Sequence, residues 1–374
     1  SSLSQQDSLR LAEQAAAQSV VLLKNESQTL PLEASGKTIA LIGPLIEDRD
    51  SLMGCWRFDG RTEEVETLSE ALKRNLPADS TLLTAPGCSI EGNNLDLEPA
   101  IRIAKLADTI ILALGENDKM SGEAHSRAHI NLPGRQLELV RSICALGKPV
   151  IAILFCGRPL AIPELVESVS SLLLAWHGGT RAAQGICDVI FGRVNPAGKL
   201  TITFPRCEGQ IPIYYAHKST GRPIESTGVI QFNQNHRSMY LDETNSPLFP
   251  FGYGLSYTQF NYSDLQISHK RIEQNGILQI SAMIENSGNY AGKEIVQLYV
   301  KDCFGIVTRP VKELKGFQKI ELQPSEKQMV SFRLPISDLA FLNADLDPII
   351  EPGDFKVWVG PNSDEGLEGS FEVL

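Results

Sequence analysis

Several charged side chains follow an apolar segment of the kind that forms a buried strand. The segment is DTIILALG at residues 108–115, a continuous apolar run typical of a parallel strand covered on both faces. The polar stretch 116–133 comes next and carries these acids, histidines and cations: Glu116, Asp118, Glu123, His125, His129, Lys119 and Arg127. Ligands of open α/β sheets bind just outside the carboxyl ends of the strands. Because carboxyl groups and imidazoles can transfer protons, this stretch is where we expect chemistry.

The size and charge of the chain limit what it can be. At 374 residues it is too long for one ordinary core, so two or three domains are expected. The net charge of −11 argues against a nucleic-acid partner, because a phosphate-binding surface needs clustered Lys and Arg. No stretch approaches the roughly 18–20 uninterrupted apolar residues of a membrane span. The start of the chain is not of the signal-peptide type.

The cysteines bear on the cellular compartment. They are odd in number, dispersed and without a CxxC pair, at positions Cys55, Cys88, Cys144, Cys156, Cys187, Cys207 and Cys303. Cysteines inside apolar segments are typically small buried hydrophobes, and no zinc site is predicted. The pattern favours a reducing, cytoplasmic compartment, with the periplasm as the alternative.

Residues 1–205 alternate between helical and extended patterns. A first helix is predicted over 7–24 from its apolar spacing, with Asp7 as the N-cap candidate. Further strands are predicted at 38–43, 80–84, 109–114, 149–155 and 171–176, with a last short extended piece at 199–204, and further helices at 67–76, 96–107, 134–147 and 180–191. Such alternation indicates βαβ units, so we predict an α/β sandwich with a mostly parallel sheet.

Residues 206–257 and 258–374 differ in composition and in sequence pattern. The first segment is rich in Pro, Gly, Asn, Ser and aromatic residues, Phe232 among them, and is predicted to be an ordered connection. The second segment shows alternating strand patterns at 278–285, 294–300, 327–333 and 354–360. Turn sequences separate these strands. About 115 residues of this kind predict an all-β sandwich of the immunoglobulin or fibronectin type.

A series of short motifs resembles glycoside hydrolase family 3. The motifs are VVLLKN at 20–25, LPL at 30–32, IALIGP at 39–44, SGEAHSR at 121–127, GRP at 157–159, WHGGT at 176–180, FGRVNPAGKL at 191–200, FPR at 204–206 and FPFGYGLSY at 249–257. Their order and their spread over nearly the whole chain carry the resemblance, which is strongest to β-glucosidases of the bacterial periplasmic type. It implies an (α/β)6-type sandwich followed by a fibronectin type III-like domain.

The resemblance also implies a division of the catalytic groups. The family's nucleophile is an aspartate on an N-terminal (β/α)8 barrel, which should precede residue 1. We therefore expect the C-terminal portion of a retaining, exo-acting β-glucosidase that is inactive by itself. The expected partners are a β-glucoside or oligosaccharide substrate and the absent barrel, and a homodimer stays open. No cofactor and no metal are implied.

By the same resemblance, Glu123 occupies the general acid/base position. Gly122 before it gives the loop the backbone freedom to present the Glu123 side chain towards a facing domain. A general acid needs a pKa near the working pH, which burial under a partner domain would favour. Glu116 and Asp118 are the rivals, and Glu116, which directly ends the strand, is expected instead to cap a turn or fix the loop.

Three further side chains are candidates for binding substrate. Trp56, in the sequence MGCWRFDG at 53–60, can stack on a sugar face, although core packing is the alternative. His125 and Arg127 can orient or electrostatically tune Glu123, and Arg127 can instead anchor the loop through a salt bridge. A metal site at His125 and His129 is not predicted, because no third ligand is spaced to join them.

Two other classes of function stay open. The chain could be a non-catalytic carbohydrate-binding or scaffolding module that kept the two-domain body without a barrel. A nucleotide-binding α/β protein is less favoured, because the turn at 178–180 lacks the GxxxxGK[ST] pattern of a phosphate loop.

Overall fold

A computed structural model describes residues 4–92, 94–223 and 236–374. The chain divides into two compact units. Unit 1 comprises Ser1–Gly198, Arg206–Gly209 and Gly254–Tyr257, and unit 2 comprises Lys199–Pro205, Gln210–Tyr253 and Thr258–Leu374. The boundaries expected after residues 205 and 257 stay a prediction. Phe232 of the expected connection lies outside the described residues.

Unit 1 is built on a sheet with helices on both faces. Its strands are β1 (Val21–Asn25), β2 (Thr38–Ile42), β3 (Thr81–Ala85), β4 (Thr109–Gly115), β5 (Val150–Phe155) and β6 (Ser171–Leu174). Its helices are α1 (Gln5–Ser19), α2 (Asp50–Met53), α3 (Leu68–Asn75), α4 (Leu97–Leu106), α5 (Gln136–Cys144), α6 (Pro163–Ser168) and α7 (Ala182–Ile190). Within the described residues the strand order is β1-β6-β5-β4-β2-β3. Neighbours from β6 through to β3 are parallel, and β1 pairs antiparallel with β6.

The burial pattern explains why the central strands read as continuous apolar runs. Every residue of β4, β5 and β6 is buried, because helices cover both faces of the sheet. Helices α1, α3 and α7 pack together on the face whose core includes Leu41, Ile111 and Ile153. Helices α4, α5 and α6 pack on one another across the other face. The predicted α/β sandwich with a mostly parallel sheet is thereby confirmed.

The first predicted helix is wrong over its last turn. Helix α1 ends at Ser19, and the predicted helical residues 21–24 belong to strand β1. The N-cap is Ser4, whose hydroxyl accepts a hydrogen bond from the Asp7 amide at 3.1 Å, so Asp7 lies inside the helix. The apolar spacing up to Leu23 fits a helix, but residues 21–25 form a strand that pairs with β6, and tertiary contacts override the local pattern.

In the described residues, two mainly antiparallel sheets enclose the core of unit 2, and a further pair of short strands forms a small sheet of its own. Its strands are β7 (Phe260–Ile267), β8 (Arg271–Ile272), β9 (Ile277–Asn286), β10 (Gly292–Asp302), β11 (Glu313–Leu322), β12 (Lys327–Pro335), β13 (Phe341–Leu342), β14 (Pro348–Ile349), β15 (Gly353–Gly360) and β16 (Leu367–Val373). One sheet has the order β11-β10-β15-β16-β8, with a parallel β16–β8 pair, and the other has the order β12-β9-β7. Alternate side chains of both sheets fill the core, as the period-two pattern predicted, and the fibronectin-type sandwich is confirmed.

Three observations concern membranes, cysteines and metals. No helix among the described residues has both the length and the apolar character needed to cross a membrane. Each of the seven cysteines is a free thiol. Within the same described ranges, no group of three or more His, Cys, Asp or Glu side chains is arranged to hold a metal ion.

Candidate active site

The site of unit 1 lies at the carboxyl edge of its parallel strands. Four neighbouring strands, β6, β5, β4 and β2, end at this edge. Glu116 directly follows β4, Arg158 follows β5, His177 follows β6, and the segment that carries Trp56 follows β2. Residues far apart in sequence therefore meet here, where open α/β sheets bind their ligands.

The end of strand β4 is held firmly. The buried amide of Gln136, at the start of α5, accepts a hydrogen bond from the Gly115 nitrogen and donates one to the Gly115 carbonyl, both at 2.8 Å. The next amide, that of Glu116, donates to the Phe155 carbonyl at 2.8 Å. These contacts fix the point at which the loop leaves the sheet.

Glu116 is a buried anion between two arginines. Its side chain has no exposed surface, and Arg127 donates to Oε1 at 2.7 Å. The Nε atom of Arg158 lies 3.1 Å from the same oxygen and 3.4 Å from Oε2. A buried carboxylate needs such partners, because desolvation penalises an unpaired charge heavily. Glu116 therefore fixes the loop.

The side chain of Arg158 also binds the main chain of the loop. Its Nη2 atom donates to the carbonyl of His125 at 2.7 Å and to the carbonyl of Met120. One guanidinium group thus joins the buried Glu116 to two carbonyls that lie on either side of Glu123 in sequence.

Glu123 stands at the tip of this loop. Its side chain is exposed, and it forms no hydrogen bond or ion pair with any described residue. Gly122 has φ +108° and Ala124 has φ +61°, so both neighbours adopt left-handed backbone conformations. The backbone on both sides, rather than a contact of its own carboxylate, determines where Glu123 points.

His177 supports the same loop from strand β6. Its Nδ1 atom lies 2.6 Å from the Ser51 carbonyl, which can only accept, so Nδ1 carries the proton and Nε2 is left as the acceptor. The Ser121 hydroxyl lies 3.5 Å from Nε2. Burial lowers the pKa of His177, against the opposing effects of the Ser51 hydrogen bond and of carboxylates that include Glu116. The neutral ring therefore links three segments.

The segment with Trp56 is tied to the Glu123 loop. Trp56 itself is 61% exposed, so its ring is not packed in a core. A Cβ atom on Gly122 would lie 2.7 Å from Sγ of Cys55, so the two segments touch there. Arg57 pairs with Asp50 and lies 3.7 Å from Asp118. Asp118 is thereby engaged by the neighbouring segment.

The other candidate side chains, those of His125, Arg127 and His129, point in different directions and have different partners. His125 is exposed, and its Nδ1 donates to the Ser121 carbonyl at 3.1 Å. Arg127 points inward to Glu116, and its Nη2 donates to the Asn131 carbonyl at 3.3 Å. His129 lies away from them, with its Nδ1 atom 3.1 Å from the Glu208 carboxylate.

Sequence reasoning missed two residues of this site, Arg158 and His177. Both lie in motifs noted above, but neither was singled out for a role. Their position shortly after neighbouring apolar strands is the signal that could have found them, because the carboxyl ends of parallel strands meet at one edge.

The sequence and the fold match a described family. The glycosyl hydrolase family 3 C-terminal domain matches residues 20–257, and the fibronectin type III-like domain matches residues 294–363. The chain belongs to glycosyl hydrolase family 3. The resemblance inferred from the motifs is confirmed, together with the order of an α/β sandwich and a fibronectin type III-like sandwich.

The relatives of this family 3 chain are glycosidases. A periplasmic β-glucosidase from Salmonella typhimurium is 38% identical, with 97% of this chain and 50% of the relative covered. A β-xylosidase from Formosa agariphila is 38% identical, with 95% of this chain and 48% of the relative covered. The structure of a mutant β-glucosidase from Listeria innocua in complex with laminaribiose has a TM-score of 0.91 and 37% identity, with 100% of this chain and 50% of that chain covered. The chain spans about half the length of these relatives.

Proposed function

We propose that this chain supplies the general acid/base, Glu123, of a retaining, exo-acting β-glucosidase. The nucleophilic aspartate would lie on a (β/α)8 barrel outside the present sequence. The β-glucosidases among the relatives support the reaction class. The motif SGEAHSR at 121–127 supports the choice of residue.

The contrast between Glu123 and the two other carboxylates of its loop carries this proposal. Glu116 has no exposed surface, and two guanidinium groups occupy its oxygens, so it cannot reach a glycosidic bond. Asp118 is engaged by Arg57, and only 13% of its side chain is exposed. Glu123 is exposed at the loop tip, where a carboxyl group can meet a substrate held by a facing domain.

The proposed chemistry has two steps. In the first, protonated Glu123 gives its proton to the glycosidic oxygen as the C–O bond breaks, while the aspartate bonds to the anomeric carbon. In the second, the Glu123 carboxylate takes a proton from water, the water oxygen bonds to the anomeric carbon, and the aspartate leaves. Such a pair of carboxyl groups works at a separation of about 5–5.5 Å.

The neighbouring side chains have supporting roles in this proposal. The exposed indole of Trp56 offers a flat apolar surface to the C–H groups of a sugar ring. His125, anchored to the Ser121 carbonyl, orients the turn that carries Glu123. We assign Arg127 to anchoring the loop, because its guanidinium is directed at Glu116.

Leaving-group dependence tests the role of Glu123. In the full-length enzyme with its barrel, we expect Glu123→Ala to lower kcat/KM for a β-linked diglucoside by about 10²–10⁴-fold. An aryl glucoside with a good leaving group needs no proton in the first step, so its kcat/KM should fall far less, and azide should restore its turnover. Glu98→Ala, an exposed carboxylate on α4, is the matched control and should leave both substrates unaffected. Unchanged hydrolysis of the diglucoside by Glu123→Ala would remove Glu123 from this role.

The sugar and the dependence on a barrel need separate experiments. The Formosa β-xylosidase makes an aryl β-xyloside the second substrate to compare. The exposed Trp56 also suits a non-catalytic carbohydrate-binding module. We expect the 374-residue chain alone to leave aryl β-glucosides intact and to recover part of the activity when the barrel is added. Oligosaccharide binding without any activity on addition of the barrel would favour the binding module.

A further inference from the structure

We propose that Arg158 is a positioning residue for the acid/base, which sets where the Glu123 carboxyl group stands. This inference rests on the proposed function of Glu123. It concerns a residue that follows a different strand, β5, and that contacts the loop through three different acceptors.

The two main-chain carbonyls that accept from Arg158 lie before and after Glu123 in the sequence. Nη2 donates to the carbonyl of Met120 on one side and to the carbonyl of His125 on the other, the latter at 2.7 Å. Nε faces the carboxylate of Glu116 at 3.1 Å. One guanidinium group therefore binds both ends of the segment 120–125 and closes it into a turn.

The orientation of the Glu123 side chain depends on these contacts of Arg158. Its carboxylate has no hydrogen bond or ion pair with a described residue, so nothing beyond the backbone orients it. Gly122 and Ala124 hold left-handed conformations that a loose loop would not maintain, since such conformations are disfavoured for Ala. Releasing the carbonyls of Met120 and His125 would let the turn relax and the carboxyl group move.

The guanidinium group is specifically suited to this task. It is planar, always charged, and presents its N–H groups in a rigid fork, whereas a lysine ammonium is a single point on a flexible stem. A lysine can keep a cation beside Glu116 but cannot also reach both carbonyls. Arg158→Lys therefore separates the charge of this residue from its geometry.

The test compares two substrates in the full-length enzyme. A displacement of about 1 Å can cost about 10²-fold in rate, so Arg158→Met should lower kcat/KM for a β-linked diglucoside by about that factor. An aryl glucoside with a good leaving group should be much less affected in kcat/KM, and azide should raise its kcat. Arg158→Lys should show the same pattern with a smaller loss. Arg141→Met, which removes an exposed arginine paired with Glu164, is the matched control and should behave as wild type.

Different outcomes separate this inference from the proposed function. If Arg158→Lys and a folded Arg158→Met keep wild-type activity on the diglucoside while Glu123→Ala loses it, Arg158 has no positioning role and the function of Glu123 stands. An equal loss on both substrates without azide rescue would also overturn the inference, because it would indicate general damage to the fold. If Glu123→Ala itself retains activity on the diglucoside, the proposed function fails first.

Discussion

Glu116 and Glu123 are carboxylates of the same loop in opposite environments. Glu116 has no exposed surface and lies between the guanidinium groups of Arg127 and Arg158. Glu123 is exposed and has no partner among the described residues. The first environment suits a structural charge, and the second suits a group that must exchange a proton with a substrate and with water.

This contrast predicts very different effects on stability when each glutamate is replaced by glutamine. Glu116→Gln removes a buried charge and leaves two arginines without their anion, so we expect a loss of about 3 kcal/mol in the free energy of unfolding. Glu123→Gln changes an exposed side chain and should alter it by no more than about 0.5 kcal/mol. Urea denaturation of the two variants beside wild type measures the difference. Equal stability of the two variants would contradict the anchoring role of Glu116.

The fold was largely predictable because its signals are local. Strands β4 and β5 are continuous apolar runs bounded by polar segments, and helix α3 begins at a capping box formed by Thr67 and Glu70. The wrong helix prediction at 21–24 has the opposite cause. Those residues become a strand only because β6, which is distant in sequence, offers an antiparallel edge.

The site was predictable only where one segment contains it. The loop after β4 carries Glu116 and Glu123, and its place after an apolar run marks it. Arg158 and His177 contact this loop across sequence separations of 42 and 56 residues. Their convergence depends on the strand order of the sheet, which the local pattern does not specify.

Gly122 is predicted to tolerate no side chain. An Ala there would need φ +108° and would bring its Cβ to 2.7 Å from Sγ of Cys55. We expect Gly122→Ala to cost about 1–3 kcal/mol of unfolding free energy and to reduce hydrolysis of a β-linked diglucoside by the full-length enzyme.

A second variant separates the two causes of that loss. Cys55→Ala removes the crowding atom but not the backbone strain, so the double variant should recover part of the lost stability. The coupling free energy from a double-mutant cycle should be about 0.5–1 kcal/mol, whereas strictly additive effects would show that Cys55 and Gly122 do not touch.

His177 is predicted to make stability depend on pH. Burial lowers its pKa in the folded state from the ordinary 6.5, so the unfolded chain binds the proton more readily. The contribution of the neutral ring is therefore fully present above pH 6.5 and is lost as the pH falls towards the lowered folded pKa.

The test measures how much the free energy of unfolding changes between about pH 7.5 and about pH 5.5, in wild type and in variants. His177→Asn keeps a donor for the Ser51 carbonyl but does not titrate, so wild type should lose more stability on acidification than this variant does. His269→Asn, at an exposed histidine of unit 2, serves as control and should follow wild type. An equal loss of stability on acidification in wild type and in His177→Asn would contradict a neutral His177 ring that donates a hydrogen bond to the Ser51 carbonyl.

Trp56 is predicted to bind substrate without supporting the fold. Because 61% of it is exposed, Trp56→Ala should change the free energy of unfolding by less than about 1 kcal/mol. A lost stacking contact of about 1.4 kcal/mol would lower kcat/KM for a β-linked oligosaccharide about tenfold, mainly by raising KM. Trp56→Phe keeps an aromatic face and should retain most of the activity, and Phe304→Ala, which removes an aromatic ring that is 77% exposed in unit 2, should leave KM unchanged. A large loss of stability in Trp56→Ala with KM unaltered would instead assign the ring to packing.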